Sequence, residues 1–273
     1  MKDFRHINAA VFNEPWLIDP AKMVLITAAL EHVMSGGEPW AARGADSSMK
    51  RAPVKCEIIG TTAVIPVMGV ISRRMNMFTE MSGGTSIEML DAQFSDALKN
   101  DAVKNILFNF DTPGGAAQGV PEFSSRIFNA AQTSTKSIVG YCECAASAGY
   151  WMASQCDELY CSEAAPIGSI GVIMTIMDDT RAMKNQGVDP VVIRSSELKA
   201  PGAGGPITPN QMKSMQDRVQ QIFGMFKDGV SRARPGMDIE AVSTGDVWLG
   251  KRAVEMKLCD GISTFEEVLS KLN

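Results

Sequence analysis

Ala145-Ala146-Ser147-Ala148-Gly149-Tyr150-Trp151, reached through the apolar run Ser137–Cys144, decides how this chain is read. The run from Ser137 is strand-like, and Ser147 to Gln155 has the character of a short helix. Ser147 thus stands at a strand-to-helix turn, between residues too small to block approach to its hydroxyl. Two roles suit that position. Serine is a favoured N-cap, and an exposed serine on such a turn is a candidate nucleophile, helped by the helix dipole and the Ala148 N–H.

A serine nucleophile needs a base. The two histidines, His6 and His32, both lie far upstream. Attention passes to Lys199, which follows an extended segment and opens a Gly/Pro loop. Serine activated by lysine is a known alternative to the histidine triad. A free lysine, with a pKa of ~10.4, is protonated at neutral pH. Burial lowers that value, so a dyad places Lys199 in an apolar, partly closed pocket. Ser169, in Gly168-Ser169-Ile170-Gly171, is a candidate to orient the amine, or a loop-capping hydroxyl.

Working outward, strands and helices alternate. Ala63–Val70 and Val103–Phe110 are strand-like. Thr85-Ser86-Ile87-Glu88 has the spacing of a capping box that opens a helix to about Lys99. Val120–Gln132 reads as a helix and Glu158–Cys161 as a short strand. Gly171–Met177 and Val188–Arg194 read as further strands around a helix at 179–185. Thr208-Pro209 supplies an N-cap and a first-turn proline for a long helix to about Ala233. Repeated β-α-β spacing implies an α/β domain with a largely parallel sheet. Residues 1–55 are expected to form an extension and linker. It has a turn-like Asn13-Glu14-Pro15-Trp16, a helix from Ala21 to Met34 and a polar stretch from Gly44 to Pro53. Residues 56–236 form the core, and 237–273 complete it.

In an open α/β sheet, ligands bind beyond the carboxyl ends of strands. The turn Asp111-Thr112-Pro113-Gly114-Gly115 leaves one such end. It is either a plain tight turn or a source of unhindered N–H groups for an oxyanion. On the long helix, Met212, Met215, Val219, Ile222, Phe223 and Phe226 form an apolar stripe that must be buried somewhere, on its own core or on another copy.

The 273 residues suffice for a sizeable core, and 45% apolar with 21% charged residues is an ordinary globular balance. A net charge of −5 without a basic stretch argues against nucleic-acid binding. Six scattered cysteines form no CxxC pair and read as free thiols of a reducing compartment. No metal-ligand cluster is present, and no cofactor is expected. No apolar run is long enough to span a membrane, and no signal peptide is evident, so a cytoplasmic location is expected.

Taken in order, several motifs resemble the signal peptide peptidase A family of serine peptidases. They are Gly83-Gly84-Thr85-Ser86, Asp111-Thr112-Pro113-Gly114-Gly115, Ala146 through Ser154, Ile167 through Val172, Arg194 through Lys199, Gly245 through Gly250, and Leu258-Cys259-Asp260-Gly261. The resemblance covers roughly 56–270. It implies a Clp-protease/crotonase-like fold and a Ser–Lys dyad, with Ser147 as nucleophile and Lys199 as general base. It further implies an oxyanion hole from the Gly114/Gly115 turn and Ala148, and Ser169 positioning the lysine. The start, Asn13-Glu14-Pro15-Trp16-Leu17-Ile18-Asp19-Pro20, looks like the phage and prophage branch, whose members act as capsid (prohead) proteases on scaffold or minor capsid proteins. Homo-oligomers and the host bacterial cytoplasm follow as expectations. The competing readings are a crotonase-like acyl-CoA enzyme and a non-catalytic capsid-assembly or scaffold-binding protein.

Overall fold

The structure, a computed structural model, describes residues 14–20, 22–24, 27, 55–75, 83–176, 178 and 180–273. His6, His32, the polar stretch 44–53 and most of the expected helix from Ala21 to Met34 lie outside the described residues. The chain is of the α/β class, with parallel strands joined through helices.

Its strands are β1 (Trp16–Ile18), β2 (Glu57–Ile59), β3 (Thr62–Met68), β4 (Ile71–Ser72), β5 (Thr85–Ser86), β6 (Asn105–Thr112), β7 (Gly114–Ala116), β8 (Ser137–Ala146), β9 (Glu158–Cys161), β10 (Pro166–Gly168), β11 (Val247–Leu249) and β12 (Gly261–Ile262). The helices are α1 (Ile87–Lys99), α2 (Val120–Thr133), α3 (Ala148–Ala153), α4 (Thr180–Asn185), α5 (Pro209–Ala233), α6 (Ile239–Val242), α7 (Gly250–Glu255) and α8 (Phe265–Leu272).

The main sheet runs β11-β10-β8-β6-β3-β2, with β9 on β8 and β12 on β9. β3, β6, β8 and β10 are mutually parallel. A smaller sheet runs β1-β7-β4-β5.

Strand alternation explains how the main sheet is covered. Ala63, Ile65 and Val67 of β3, and Ile106, Phe108 and Phe110 of β6, face the principal core. There Phe94 of α1 and Phe123 of α2 meet Phe108 at ring-centroid distances of 5.3 and 6.4 Å. Val64, Leu107, Val139 and Tyr141 point to the opposite face and pack on Val268 of α8. Each such side chain contributes roughly 1.5–3 kcal/mol by leaving water.

Two helix starts repay comparison with the sequence. Thr208 caps α5 as expected, in a reciprocal capping box with Gln211. For α1 the cap shifts by one residue. Ser86 accepts from Met89 N, whereas the Thr85 hydroxyl exchanges bonds with the Met68 backbone and ties β5 to β3. Glu88 pairs with Arg74 instead of closing a box.

Among the described residues, neither expected strand, over 171–177 or over 188–194, forms. Ile173 makes an isolated bridge, and 188–194 is exposed and irregular. The α5 stripe turns partly inward: Met215 and Phe226 are buried, and Phe226 stacks on Trp151 at 4.7 Å. Met212 stays exposed.

The cysteines are unpaired, and four of the six, Cys142, Cys156, Cys161 and Cys259, are buried. No helix among the described residues is long and apolar enough to cross a membrane.

Candidate active site

β8 delivers Ser147 to the carboxyl edge of the main sheet. The residue adopts φ 54° and ψ −115°, and its hydroxyl makes no capping bond to α3. The N-cap role for that hydroxyl is therefore not the one the structure displays. Two backbone bonds hold the kink: Ser147 N–H donates to Gly168 O at 2.7 Å, and Trp151 N–H donates to Ser147 O at 2.9 Å. A positive φ at a non-glycine residue costs about 1–3 kcal/mol and persists only where the surroundings enforce it. Ser147→Gly is accordingly expected to exceed Ser147→Ala in stability by about 1 kcal/mol, read as a higher urea midpoint. Equal midpoints would show the turn to be unstrained.

Small residues make the turn fit. A Cβ on Gly149 would strike Thr112 Cγ2. Thr112, fully buried, is a residue that sequence reasoning left unassigned. Its hydroxyl donates to Gly69 O at 2.6 Å and accepts from Gly114 N–H at 3.1 Å. That second bond occupies the Gly114 donor, while Gly115 stands opposite Leu17 in the β1–β7 ladder. The first residue of a helix has no intrahelical acceptor for its N–H, which describes Ala148. A register shift between β6 and β8 at Phe110/Asp111 lies immediately before this turn, as bulges beside sites commonly do.

Both glycines are also required by close approach. A Cβ on Gly114 would fall on Leu17 O and within 3.0 Å of Ala146 O, and one on Gly115 would fall on the Ile71 backbone. Gly115→Ala is expected to cost about 1–3 kcal/mol through overpacking, measured by thermal melting; a melt matching the parent would remove that constraint.

The Ser147 hydroxyl donates to Gly171 O over 3.4 Å, a long bond. Ser169 follows Gly168 directly, is buried at φ 51°, and its N–H donates to Asp246 O at 2.7 Å. With Ile18, Ile173, Val219, Phe223 and Asp246 it lines a cleft of about 390 Å³. Cys144 is no rival nucleophile: burial pushes its thiol up to about 11, far from the thiolate range at neutral pH.

Ser147, Ala148, Gly114, Gly115 and Ser169 thus share one end of the sheet. Lys199 is different. Among the described residues no apolar pocket encloses it, and the residue is exposed. Its backbone is nonetheless fixed. Lys199 N–H donates to Ser196 O at 3.1 Å, and Ala200 turns at φ 61°. Glu197 accepts from Thr208 Oγ1 and from Asn210 Nδ2 at 2.9 Å, while Gln211 Nε2 donates to Glu197 O at 2.7 Å. The loop is hooked onto the start of α5 with Lys199 facing outward.

The family model described as Peptidase family S49 matches residues 129–273, and the chain belongs to that family. It is 27% identical to the head-tail preconnector protein GP5 of Enterobacteria phage P21, over 98% of this chain and 57% of that protein. It is 26% identical to capsid assembly protease C of Escherichia phage lambda, over 95% and 63% respectively. The chain therefore spans about three fifths of the length of these curated relatives. Among solved structures, the 1510-N membrane-bound stomatin-specific protease S97A mutant aligns with a TM-score of 0.47 at 16% identity, over 76% of this chain and 82% of that one.

Proposed function

We propose that this chain is an ATP-independent serine endopeptidase acting by a Ser–Lys dyad, and that it cleaves scaffold or minor capsid proteins during capsid maturation. The observation that carries the chemistry is the strained, non-capping Ser147 at the carboxyl end of β8, with the first-turn N–H of Ala148 next to it. Ser147 is the nucleophile and Lys199 its general base. Gly115 and Ala148 N–H groups stabilise the oxyanion, with Gly114 holding the turn, and Ser169 positions the amine. The capsid role rests on the two phage relatives and on the start of the chain.

An exposed Lys199 sits beside unusual apolar exposure. Val191 is 89% and Ile193 97% exposed, with Val188 and Leu198 nearby. A contiguous apolar stretch of this kind marks an interaction surface. Self-association that covers it would enclose the lysine and bring it to the Ser147 of a neighbouring copy. The site is then completed between protomers, in the host cytoplasm.

Incubation with a serine-reactive phosphonate, followed by peptide mapping, tests the nucleophile. Labelling is expected at Ser147, together with cleavage of purified scaffold protein or denatured casein. An unlabelled Ser147 with intact substrate would return the chain to a non-catalytic assembly role.

A further inference from the structure

The segment Trp16-Leu17-Ile18 is not part of a detached extension. As β1 it pairs antiparallel with β7, Leu17 opposite Gly115 and Ile18 opposite Gly114. Asp19 N–H donates to Pro113 O at 2.9 Å, and Ala117 N–H donates to Pro15 O at 3.3 Å. On its other edge, Trp16 N–H donates to Ile173 O at 2.8 Å and Ile173 N–H returns a bond to Trp16 O at 3.0 Å. β1 is thereby inserted between two walls, and both walls touch the Ser147 turn. Gly114 lies against Leu17 O and Ala146 O, and Gly171, two residues before Ile173, accepts from the Ser147 hydroxyl. Ile18 and Pro20 continue across the cleft that Ser169 lines. Ser147 itself is 0% exposed.

An extended peptide recognised by strand addition needs that same pair of edges: backbone donors and acceptors on both sides, and pockets for alternate side chains. β1 supplies each of these from within the chain. Leu17 is 0% exposed in the principal core, while Trp16 and Ile18 turn to the other side and pack with Met23. We propose that residues 14–20 are a built-in pseudosubstrate: they fill the peptide groove, place the Leu17 backbone on the Gly115 donor, and hold the site closed until displaced. The true substrate is then an extended apolar segment with a leucine-sized residue at the Leu17 position, flanked by bulky apolar neighbours. The inference rests on the peptidase reading for its catalytic consequence, but not for its binding consequence.

Each proline substitution removes one edge bond. Trp16→Pro deletes the donor to Ile173 O, and Asp19→Pro the donor to Pro113 O. Each is made in the full chain and also combined with Ser147→Ala. A fluorescein-labelled peptide of residues 14–20 is expected to bind the Ser147→Ala forms at least about ten-fold more tightly when either proline is present. In the Ser147 forms, phosphonate labelling is expected to accelerate by a similar factor. Unchanged peptide affinity and unchanged labelling in folded proline variants would overturn the pseudosubstrate. Tighter binding without any labelling or hydrolysis sustains it and sinks the catalytic reading alone. Should a proline variant fail to fold, the unmodified chain carries the test by hydrogen exchange. Saturating apolar peptide is expected to cut the protection of the Ala117 amide, whose acceptor on Pro15 leaves with β1. Full protection during ongoing hydrolysis would show that substrate binds elsewhere.

Discussion

Equimolar mixing of the Ser147→Ala and Lys199→Ala chains, unfolded and reassembled together, is expected to restore hydrolysis that neither has alone. Each single variant should lose at least about 10³-fold in kcat, because nucleophile and base act as one unit. If the lysine comes from a neighbouring copy, a random mixture joins an intact serine to an intact lysine in about a quarter of its sites in a closed ring. Recovery near that fraction of the parent rate is the expected reading. No recovery, with both variants folded and co-assembled, would place Lys199 on its own chain's serine through a rearrangement of the loop. The exposed Lys199 and the hook formed by Glu197 on Thr208 and Asn210 motivate the first outcome.

The second large effect concerns stability. Arg234, at the end of α5, is 8% exposed and binds both oxygens of Asp260, at 2.8 and 2.7 Å. Asp260 also accepts from Leu159 N–H at 2.7 Å, so one carboxylate joins α5, β9 and the C-terminal elements. Arg234 Nε and Nη2 have no hydrogen-bond partner among the described residues, so its guanidinium relies on this carboxylate. Asp260 itself is 44% exposed, but Asp260→Ala strands the buried guanidinium and is expected to cost about 3 kcal/mol. The control is Asp217→Ala, which breaks the exposed pair with Lys213 and is expected to cost under about 0.5 kcal/mol. Denaturant melts of the two variants make the comparison. Equal losses would mean that the buried pair contributes nothing beyond a surface contact.

Much of the fold could be read from the chain because local signals and burial agreed. β6 and β8 are apolar runs ended by turn residues, and Thr208-Pro209 is a helix start that needs no tertiary help. Ser147 was visible as a small-residue turn after a strand. Its positive φ was not, since that is imposed by bonds to Gly168 and Trp151. Two segments rich in β-branched residues, 171–177 and 188–194, misled for a common reason. Strand propensity describes a side chain that fits a pleated surface, and a strand still needs a partner edge. Ile173 found a single bridging partner and 188–194 found none among the described residues. β1 was illegible for the opposite reason. The three residues Trp16–Ile18 carry no periodicity, and only distant edges at Gly115 and Ile173 make them a strand. Lys199 was found as a residue type in a motif, but its exposure was not, because the loop's irregular course is fixed by its contacts with the start of α5.

The placement of α8 sets a timetable for the newborn chain. Val64, Leu107, Val139 and Tyr141 form one face of the main sheet, and the residues that pack on it are Phe265, Val268, Leu269 and Leu272. Asn273 then bonds Thr61 and Thr62 at the start of β3. A ribosome adding about 5–20 residues per second has finished every strand before that lid is made. For those seconds the sheet presents a bare greasy flank, a natural seat for a chaperone. A copy cut short before α8 would lack both that cover and the Asn273 ties to Thr61 and Thr62.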